Sequence, residues 1–357
     1  AVEALLTPGA VVLVKGSAEG RLEEVVRRLL SEPEQAASLL ARQSPGWRSV
    51  RLKRPSRPTW VEVDLEAIAH NVRLLRQRLA PRVALLAVLK ADGYGHGAIK
   101  IARTALNNGA SWLGVACLSE ALALRNAGIE APILVLGYTP PWQARETVHR
   151  QIDATVFSLE TAQALARAGR ELGRLARVHV KVDTGMGRLG LLPEEVLPFM
   201  RELHRLPGLT VQGVFTHFAT ADSADRGHAT RQWSRFGAVL AQLEREGLRP
   251  PLAHAANSAA VLTMPEAHLD LVRVGIALYG MNPSPEVPCP PDFHPALAFK
   301  TQVAQVKDLP SGSPISYGCT FHTERDSRIA VIPVGYADGF RRAPRHWGQV
   351  LVRGRRA

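Results

Sequence analysis

AVLKADGYGHG, residues 87–97, is an apolar run that ends in Lys90 and is followed by a glycine-rich turn carrying Tyr94 and His96. A short apolar run bounded by a tight turn is typical of a buried strand that leads into a loop. A lysine at the mouth of such a strand is placed to form an imine with a carbonyl cofactor. The same residue could be a surface lysine that caps the loop, so its interpretation depends on the residues that accompany it.

Strand-like and helix-like segments alternate on both sides of Lys90, from Pro58 to about Tyr279. Helical runs such as 65–79 and 232–246 are long enough to connect parallel strands. The predicted strands are residues 60–63, 84–89, 112–116, 132–136, 154–157, 177–182, 209–216, 252–255 and 271–274. This alternation predicts an α/β fold, a (β/α)8 TIM barrel, and the first of the nine strands could belong to a neighbouring sheet.

The pattern changes after Pro283, where a proline-rich loop and short strands without helices follow. The predicted strands here are residues 298–306, 329–334 and 349–352. They indicate the start of a β-rich domain. Because the chain stops at Ala357, directly after a strand, we expect this domain to be incomplete and the chain to be truncated at its C-terminus.

Residues 1–40 predict a strand at 10–14, a turn, and a helix with apolar positions at 22, 25, 26, 29 and 30. So small an α/β piece cannot enclose a core of its own. LLTPGAVVLVKGSAEGRLEEVVRRL, residues 5–29, resembles the last strand and helix of the Mur ligase that adds D-alanyl-D-alanine to the cell-wall precursor. None of that family's nucleotide-binding motifs is present, so ligase activity is not implied. The expected layout is a Mur-ligase-like remnant (1–40), a basic linker (41–57), the barrel (58–290) and the truncated β domain (291–357).

The net charge of +12 comes from two flanking segments. Residues 42–57 hold six basic and no acidic residues, residues 341–357 hold another six and none, and the remainder balances at 32 against 32. Such segments are usually solvated, so we expect no nucleic-acid partner. No apolar run approaches the roughly 20 residues that cross a bilayer, and no signal-peptide pattern opens the chain, so we expect neither a membrane partner nor export.

Three cysteines, Cys117, Cys289 and Cys319, are an odd number at wide spacing. They lack the paired spacings of a zinc site or a disulfide framework. We therefore expect a cytoplasmic protein with no metal site.

Polar residues follow several of the predicted strands, where a barrel enzyme has its catalytic groups. They are Lys90 and Tyr94, the string Lys181 to Arg188, then His217, His254, Asn257 and Ser258, and finally Arg273 to Ile276. His217 and His254 could be buried structural histidines, and the pairs Asn257-Ser258 and Gly275-Ile276 could cap helices. Small hydroxyls and backbone N–H groups at helix starts also suit a phosphate, which in barrels commonly binds after the last strands. Their position favours cofactor binding by both pairs.

Residues 185–190, GMGRLG, match the dinucleotide pattern G-x-G-x-x-G after a predicted strand. That fingerprint also requires an acidic residue at the end of the next strand, but residues 205–217 contain no Asp or Glu. We interpret the match as coincidental.

Residues 58–357 resemble the alanine racemases, which are fold-type III pyridoxal-phosphate enzymes. The resemblance rests on at least six motifs: VLKADGYGHG (88–97), VKVDTGMGRLG (180–190), FTHFATAD (215–222), HAANSAA (254–260), VRVGIALYG (272–280), and SYGCTF (316–321) with VIPVGYADG (331–339). It implies interconversion of L-alanine and D-alanine for peptidoglycan, with pyridoxal 5′-phosphate as the cofactor.

The resemblance implies roles for the residues around that cofactor. Lys90 would carry it as an imine and then act as a base on one face of the substrate α-carbon. Tyr317 would be the opposite base, reaching in from the second subunit of a homodimer with shared active sites. Arg273 would face the pyridine nitrogen and keep it unprotonated, because a guanidinium cannot accept a proton. The resulting weak electron sink would discourage transamination.

Other matching residues would bind or orient. Arg188 would meet the substrate carboxylate and orient Tyr317. Lys181 matches a position that is carbamylated in many racemases, and its negative carbamate would pair with Arg188, whereas two bare cations would repel. His217 would stack near the ring and hydrogen-bond towards Arg273. The phosphate would be held by Tyr94, Ser258, Gly275 and Ile276.

The chain departs from the family at its end. Tyr336 would shape the substrate entrance from across the dimer. A motif with a Cys-Met-Asp-Gln core and a late phosphate-binding tyrosine are absent from the sequence. We therefore expect that the chain as given cannot complete either active site.

The alternative functions are a racemase for serine or another small amino acid, a non-catalytic pyridoxal-phosphate-binding barrel, and an inert fragment. SYGCTF and the β segment count against the binding barrel. Fusion to an upstream ligase is a further hypothesis.

Overall fold

The computed structural model describes residues 57–340 and 349–356, together with the single residues Val26 and Leu30. The chain divides into two compact units, residues 1–59 and 60–357, and nearly all described residues belong to the second. The predicted strand at residues 10–14 and the basic linker up to residue 56 lie outside the described residues, as does the helix between them apart from Val26 and Leu30. The resemblance of that segment to a Mur ligase therefore stays a prediction.

Eight parallel strands form a nearly closed barrel, as the alternation of elements predicts. The first strand of the chain, β1 (Thr59–Val63), is not part of it. The barrel strands are β2 (Ala84–Val88), β3 (Trp112–Val115), β4 (Ile133–Val135), β5 (Asp153–Val156), β6 (Ala176–Lys181), β7 (Leu209–Phe215), β8 (Leu252–His254) and β9 (Leu271–Val274). Each of β2 to β7 pairs with the next strand, and β9 pairs with β2.

Two backbone hydrogen bonds bridge the remaining gap between β8 and β9. The N–H of Asp270 donates to the carbonyl of Ala253 at 3.1 Å, and the N–H of Arg273 donates to the carbonyl of Ala256 at 2.9 Å. The carboxyl ends of β8 and β9 are therefore held side by side at the same end of the barrel.

The barrel strands are buried because helices cover their outer surface and side chains fill the interior. Every residue of β4, β5 and β9 is buried. Continuous apolar runs are what such strands require, which is why the sequence locates them well. Asp153 in β5 and Arg273 in β9 are the charged exceptions in these three strands.

Helices connect the strands on the outside. They are α1 (Leu65–Gln77), α2 (Ala98–Asn107), α3 (Leu118–Asn126), α4 (Ala144–His149), α5 (Leu159–Glu171), α6 (Pro193–His204), α7 (Gly227–Arg245) and α8 (Ser258–Thr263). In α1, the Asp64 carboxylate accepts from the backbone N–H groups of Glu66 and Ala67, which fixes the start of the helix. Its residues Ile68 and Val72 are fully buried against the barrel.

The segment after the barrel is rich in strands, as predicted, and its described residues form pairs outside the barrel sheet. Its strands are β10 (Leu297–Thr301), β11 (Gln305–Leu309), β12 (Pro314–Ile315), β13 (Phe321–His322), β14 (Ser327–Val331), β15 (Leu351–Val352) and β16 (Arg355–Arg356). Strand β10 pairs with β1, which confirms that the first predicted strand belongs to a neighbouring sheet. The pairs β11 with β14, β12 with β13, and β15 with β16 are antiparallel.

The three strands predicted in this segment all differ from the structure in their boundaries. The strand expected at 349–352 is confined to Leu351–Val352. The single strand expected at 298–306 is two strands, because β10 pairs with β1 whereas β11 pairs with β14. The strand expected at 329–334 ends at Val331, shortly before Pro333, which has no N–H to donate to a neighbour. Among the described residues, no helix combines the length and hydrophobicity that a bilayer crossing requires.

Candidate active site

One cavity of about 610 Å³ opens at the carboxyl ends of the barrel strands. Ten of the predicted site residues line it: Lys90, Tyr94, Lys181, Arg188, His217, Asn257, Ser258, Arg273, Gly275 and Ile276. Tyr317 and Tyr336 do not line it within the same chain. They lie in the strand-rich segment, where their side chains are 78% and 63% exposed.

Lys90 lies two residues after the end of β2 and is exposed at the mouth of the barrel. The next three residues, Ala91, Asp92 and Gly93, adopt left-handed backbone angles with φ of 51°, 52° and 64°. Left-handed alanine and aspartate cost about 1–2 kcal/mol each, and such strain persists where the surroundings enforce it. Here Glu120 accepts a hydrogen bond from the N–H of Ala91 at 2.7 Å, which holds the turn that presents the lysine.

Ser258 and Gly275 form a candidate anion cradle. The Oγ of Ser258 accepts from the backbone N–H groups of Gly275 at 3.0 Å and Ala277 at 3.3 Å, so its hydroxyl hydrogen is left to donate. A Cβ added to Gly275 would lie 2.5 Å from the Oη of Tyr94, so only glycine allows the tyrosine this close. Asn257 caps α8 through the N–H of Ala260 at 3.0 Å, which is the structural alternative considered for this residue.

Arg273 is 3% exposed, and its guanidinium is fixed by the neighbouring strand ends. Its Nη1 donates to Nδ1 of His254 at 2.8 Å, and its Nη2 donates to the carbonyls of Thr216 at 2.7 Å and Ala255 at 3.0 Å and to Nδ1 of His217 at 3.2 Å. None of these bonds, within the described part of the chain, uses Nε. Burial lowers the pKa of Arg273 to about 9, so the group remains a cation near neutral pH.

His217 is a neutral imidazole in this arrangement. Burial, followed by the charges of Arg273, Lys181, Arg188 and Lys90, lowers its pKa to about 2. Because its Nδ1 accepts from Arg273, its proton lies on Nε2.

Lys181 ends β6 with its Nζ 4.5 Å from the centre of the Phe215 ring. Burial, reinforced by the positive charges of Arg273 and Arg188, lowers its pKa well below the usual value for lysine. Within residues 57–340 and 349–356, Nζ has neither a hydrogen bond nor an ion pair. Lys181 is therefore a buried amine that holds its proton less tightly than an ordinary lysine does, and it lies close to the charges of two arginines.

The loop that carries Arg188 is organised by Asp183. Its carboxylate accepts from the backbone N–H groups of Gly185, Met186, Gly187 and Arg188 at 2.8–3.1 Å. Burial would raise the pKa of Asp183, but these four donors outweigh it and lower the pKa. The glycines thus lie in a loop that closes around the Asp183 carboxylate. This arrangement agrees with the interpretation that the match to the dinucleotide pattern is coincidental.

Two polar residues of the barrel interior were not anticipated as part of the site. His179 in β6 and Asp153 in β5 are both buried, and His179 contacts His254 at 2.9 Å. The signal in the sequence was Asp153, a charged residue at the start of an otherwise apolar strand. The order of residues along the chain does not show which neighbouring strand such a side chain faces.

Comparison with known proteins gives a consistent result. The family model described as alanine racemase, N-terminal domain, matches residues 63–283, and the model described as alanine racemase, C-terminal domain, matches residues 296–357. The chain is 49% identical over 301 residues to a protein named alanine racemase from Desulfovibrio desulfuricans, covering 84% of this chain and 81% of that protein. It is 52% identical over 300 residues to another from Symbiobacterium thermophilum, covering 84% and 79%.

A solved structure shares the fold as well. The alanine racemase of Clostridium difficile 630 superposes with a TM-score of 0.80 at 37% identity and covers 85% of this chain and 80% of its own. The chain described here belongs to the alanine racemase family.

Proposed function

We propose that this protein interconverts L-alanine and D-alanine with pyridoxal 5′-phosphate held in the cavity at the carboxyl end of the barrel. The observation that carries the proposal is the convergence of an amine, an anion cradle and a buried guanidinium in one space of about 610 Å³. The cofactor, when bound, supplies an electron sink that makes the α-hydrogen of an amino acid acidic.

The cavity fits this cofactor at both ends. Ser258, Gly275, Ile276 and Tyr94 would hold the phosphate, with Asn257 fixing the start of the helix beside it. At the other end, Nε of Arg273 remains available to face the ring nitrogen. Because a guanidinium cannot take up a proton, Arg273 would keep that nitrogen unprotonated and would disfavour transamination.

Two bases on opposite faces are needed to invert a stereocentre. The Nζ of Lys90 would take or return the proton on one face of the α-carbon. The Oη of the partner subunit's Tyr317 would serve the other face, since Tyr317 does not line the cavity of its own chain. His217 would pack near the ring while bonded to Arg273, and the partner subunit's Tyr336 would shape the entrance.

Arg188 would meet the substrate carboxylate and orient the second base. Lys181 has the character of an amine that reacts with carbon dioxide, because its lowered pKa favours the unprotonated nitrogen whose lone pair makes the attack. Attack on carbon dioxide with loss of one proton would give a negative carbamate. That carbamate would pair with Arg188 and remove the repulsion between the cations.

A homodimer in the cytoplasm that supplies D-alanine to peptidoglycan completes the proposal. Large apolar side chains are exposed throughout the strand-rich segment, among them Phe299, Val306, Phe321 and Leu351. A second copy of the chain would cover such a surface.

We also propose the domain layout into residues 1–40, 41–57, 58–290 and 291–357, with a Mur-ligase-like first part. Sequencing the gene upstream tests whether a ligase is fused to this chain.

Circular dichroism of an L-alanine solution containing the protein and cofactor tests the activity. We expect the signal to decay to zero as D-alanine forms. Lys90→Ala should abolish both the decay and the visible absorption of the bound cofactor, whereas Lys100→Ala, an exposed lysine of α2, should change neither. Decay of L-serine at an equal rate would redirect the proposal to another substrate, and full activity of Lys90→Ala would refute it.

A further inference from the structure

A line of buried polar side chains crosses the barrel interior from one end to the other. It starts at Arg273 at the carboxyl end and passes through His254 in β8 and His179 in β6, whose Nε2 and Nδ1 lie 2.9 Å apart. It continues to Asp153 at the amino end of β5, where Nε2 of His179 lies 3.5 Å from Oδ2. Arg177 closes the line by donating from Nε to Oδ1 of Asp153 at 2.7 Å.

Each imidazole of the line is fixed by close packing. The ring of His254 stacks on Phe215 with centroids 4.6 Å apart, and the ring of His179 meets the edge of Trp112 at 5.6 Å. Gly213 makes room for His179, because a Cβ there would lie 2.3 Å from Nδ1. The rings therefore hold the orientation that the hydrogen bonds require.

The donor at one end determines where every proton lies. A guanidinium only donates, so Nδ1 of His254 must accept and be unprotonated. The proton of neutral His254 then lies on Nε2 and is donated to Nδ1 of His179, which must in turn be unprotonated. The proton of His179 is thus on Nε2, where it faces the Asp153 carboxylate.

The far end of the line agrees with this assignment. Nε2 of His179 and Oδ2 of Asp153 are buried and have no hydrogen-bond partner elsewhere among the described residues. Buried polar atoms require partners, and these two, an N–H and a carboxylate oxygen, face each other. Asp153 is also the only buried carboxylate in the described part of the chain.

We propose that Asp153 and His179 are positioning residues for the racemase reaction. The carboxylate sets the proton on Nε2 of His179, His179 sets the proton on Nε2 of His254, and His254 thereby always offers Nδ1 to the guanidinium of Arg273. With the opposite tautomer at His254, two donors would meet and the guanidinium would turn away from the position that leaves Nε facing the cavity. The effect on catalysis depends on the proposed role of Arg273 towards the cofactor ring. The positions of the protons do not depend on that role.

The pattern can be measured directly by two-bond ¹H–¹⁵N correlation spectra of the ¹⁵N-histidine-labelled protein, with and without cofactor. Signals are assigned from His254→Gln and His179→Asn variants. We expect both residues to carry their proton on Nε2 in both states. A proton on Nδ1 of either residue, or a doubly protonated ring, would overturn the proposal whatever the activity of the enzyme.

Asp153→Asn tests the origin of the pattern. An amide that accepts from Arg177 presents its NH₂ to His179, so the proton of His179 should move to Nδ1 and its bond to His254 should be lost. The value of kcat for L-alanine should fall by about 10- to 100-fold while KM stays within about threefold. Asp292→Asn is the matched control, because Asp292 is exposed and its carboxylate pairs with Arg78 at 3.8 Å, outside the line.

The outcomes separate this inference from the proposed function. Unchanged tautomers or an unchanged kcat in Asp153→Asn would refute the positioning role, as would an equal effect of Asp292→Asn. If Asp153→Asn does not fold, the tautomers of the wild-type protein still decide. If racemisation itself is absent while the proton pattern is as expected, the role of Arg273 fails and the assignment of protons stands.

Discussion

At the scale of single residues, the anion cradle depends on a contact that leaves no space for an added methyl group. A Cβ on Gly275 would lie 2.5 Å from the hydroxyl oxygen of Tyr94 but 3.3 Å from its Cζ. We expect Gly275→Ala to lower the free energy of unfolding by about 1–3 kcal/mol, as overpacking usually does. Removing only the hydroxyl, in Tyr94→Phe/Gly275→Ala, should recover part of that loss.

Denaturant unfolding of the two single variants, the double variant and the wild type gives the coupling between these positions. Additive effects, with no recovery in the double variant, would show that the hydroxyl is not what excludes the methyl group.

His217 makes the stability of the fold depend on pH in a definite direction. Its pKa falls from 6.5 to about 2 on folding, chiefly because of burial. Between these values the unfolded chain binds the extra proton, so the free energy of unfolding decreases as the pH drops below 6.5. One such group contributes a slope of up to about 1.4 kcal/mol per pH unit.

We expect His217→Gln to be less sensitive to acid than the wild type, with a shallower fall of the unfolding free energy between about pH 6.5 and pH 5. Denaturant titrations at several pH values measure this slope. His149→Gln removes an exposed imidazole at the end of α4 and serves as the control. Identical slopes for wild type and His217→Gln would contradict the burial of a neutral ring.

At the scale of elements, the strained turn after β2 is held by α3. Glu120, in the first turn of that helix, accepts from the N–H of Ala91 at 2.7 Å and from the N–H of Ala116 at 2.8 Å. Glu120→Gln keeps one acceptor and introduces a donor. We expect it to lower kcat by about tenfold through misplacement of Lys90 and to lower the free energy of unfolding by about 1 kcal/mol.

Steady-state kinetics and denaturant unfolding check both effects. Glu160→Gln alters an exposed carboxylate in the first turn of α5 and should leave kcat unchanged. A normal kcat in Glu120→Gln would mean that the turn holds the lysine without this helix.

The elements themselves follow closely from local sequence. All eight barrel strands coincide with apolar runs, because a parallel strand buried on both faces must be apolar along its length. The break between β10 and β11 was not predicted, since it depends on which strand each half pairs with. Pairing partners lie far apart in the chain, and a local pattern does not identify them.

At the scale of the whole molecule, the sequence predicts the site residues that follow the ends of strands. It does not predict the residues that become neighbours only inside the closed barrel. Ten predicted residues line one cavity, because parallel strands bring their carboxyl ends together. The contact of His179 with His254 spans 75 positions, and that of Asp153 with His179 crosses between adjacent strands. Only the closed barrel connects these residues to Arg273, through His254.

Tyr317 does not line the cavity of its own chain, so the proposed two-base reaction requires a second copy of the chain. If each site combines Lys90 of one protomer with Tyr317 of the other, complementation depends on which chain carries which substitution. A heterodimer of a Lys90→Ala chain and a Tyr317→Phe chain then has one complete site. A heterodimer of a wild-type chain and a Lys90→Ala/Tyr317→Phe chain has none.

The racemisation rates of these two heterodimers, purified through different tags on each chain, are the most direct test of a shared two-base active site. We expect about half of the wild-type rate from the pair of single variants and almost none from the pair with the double variant. The reverse result, with activity only in the heterodimer that contains a wild-type chain, would place both bases in one protomer and contradict the account.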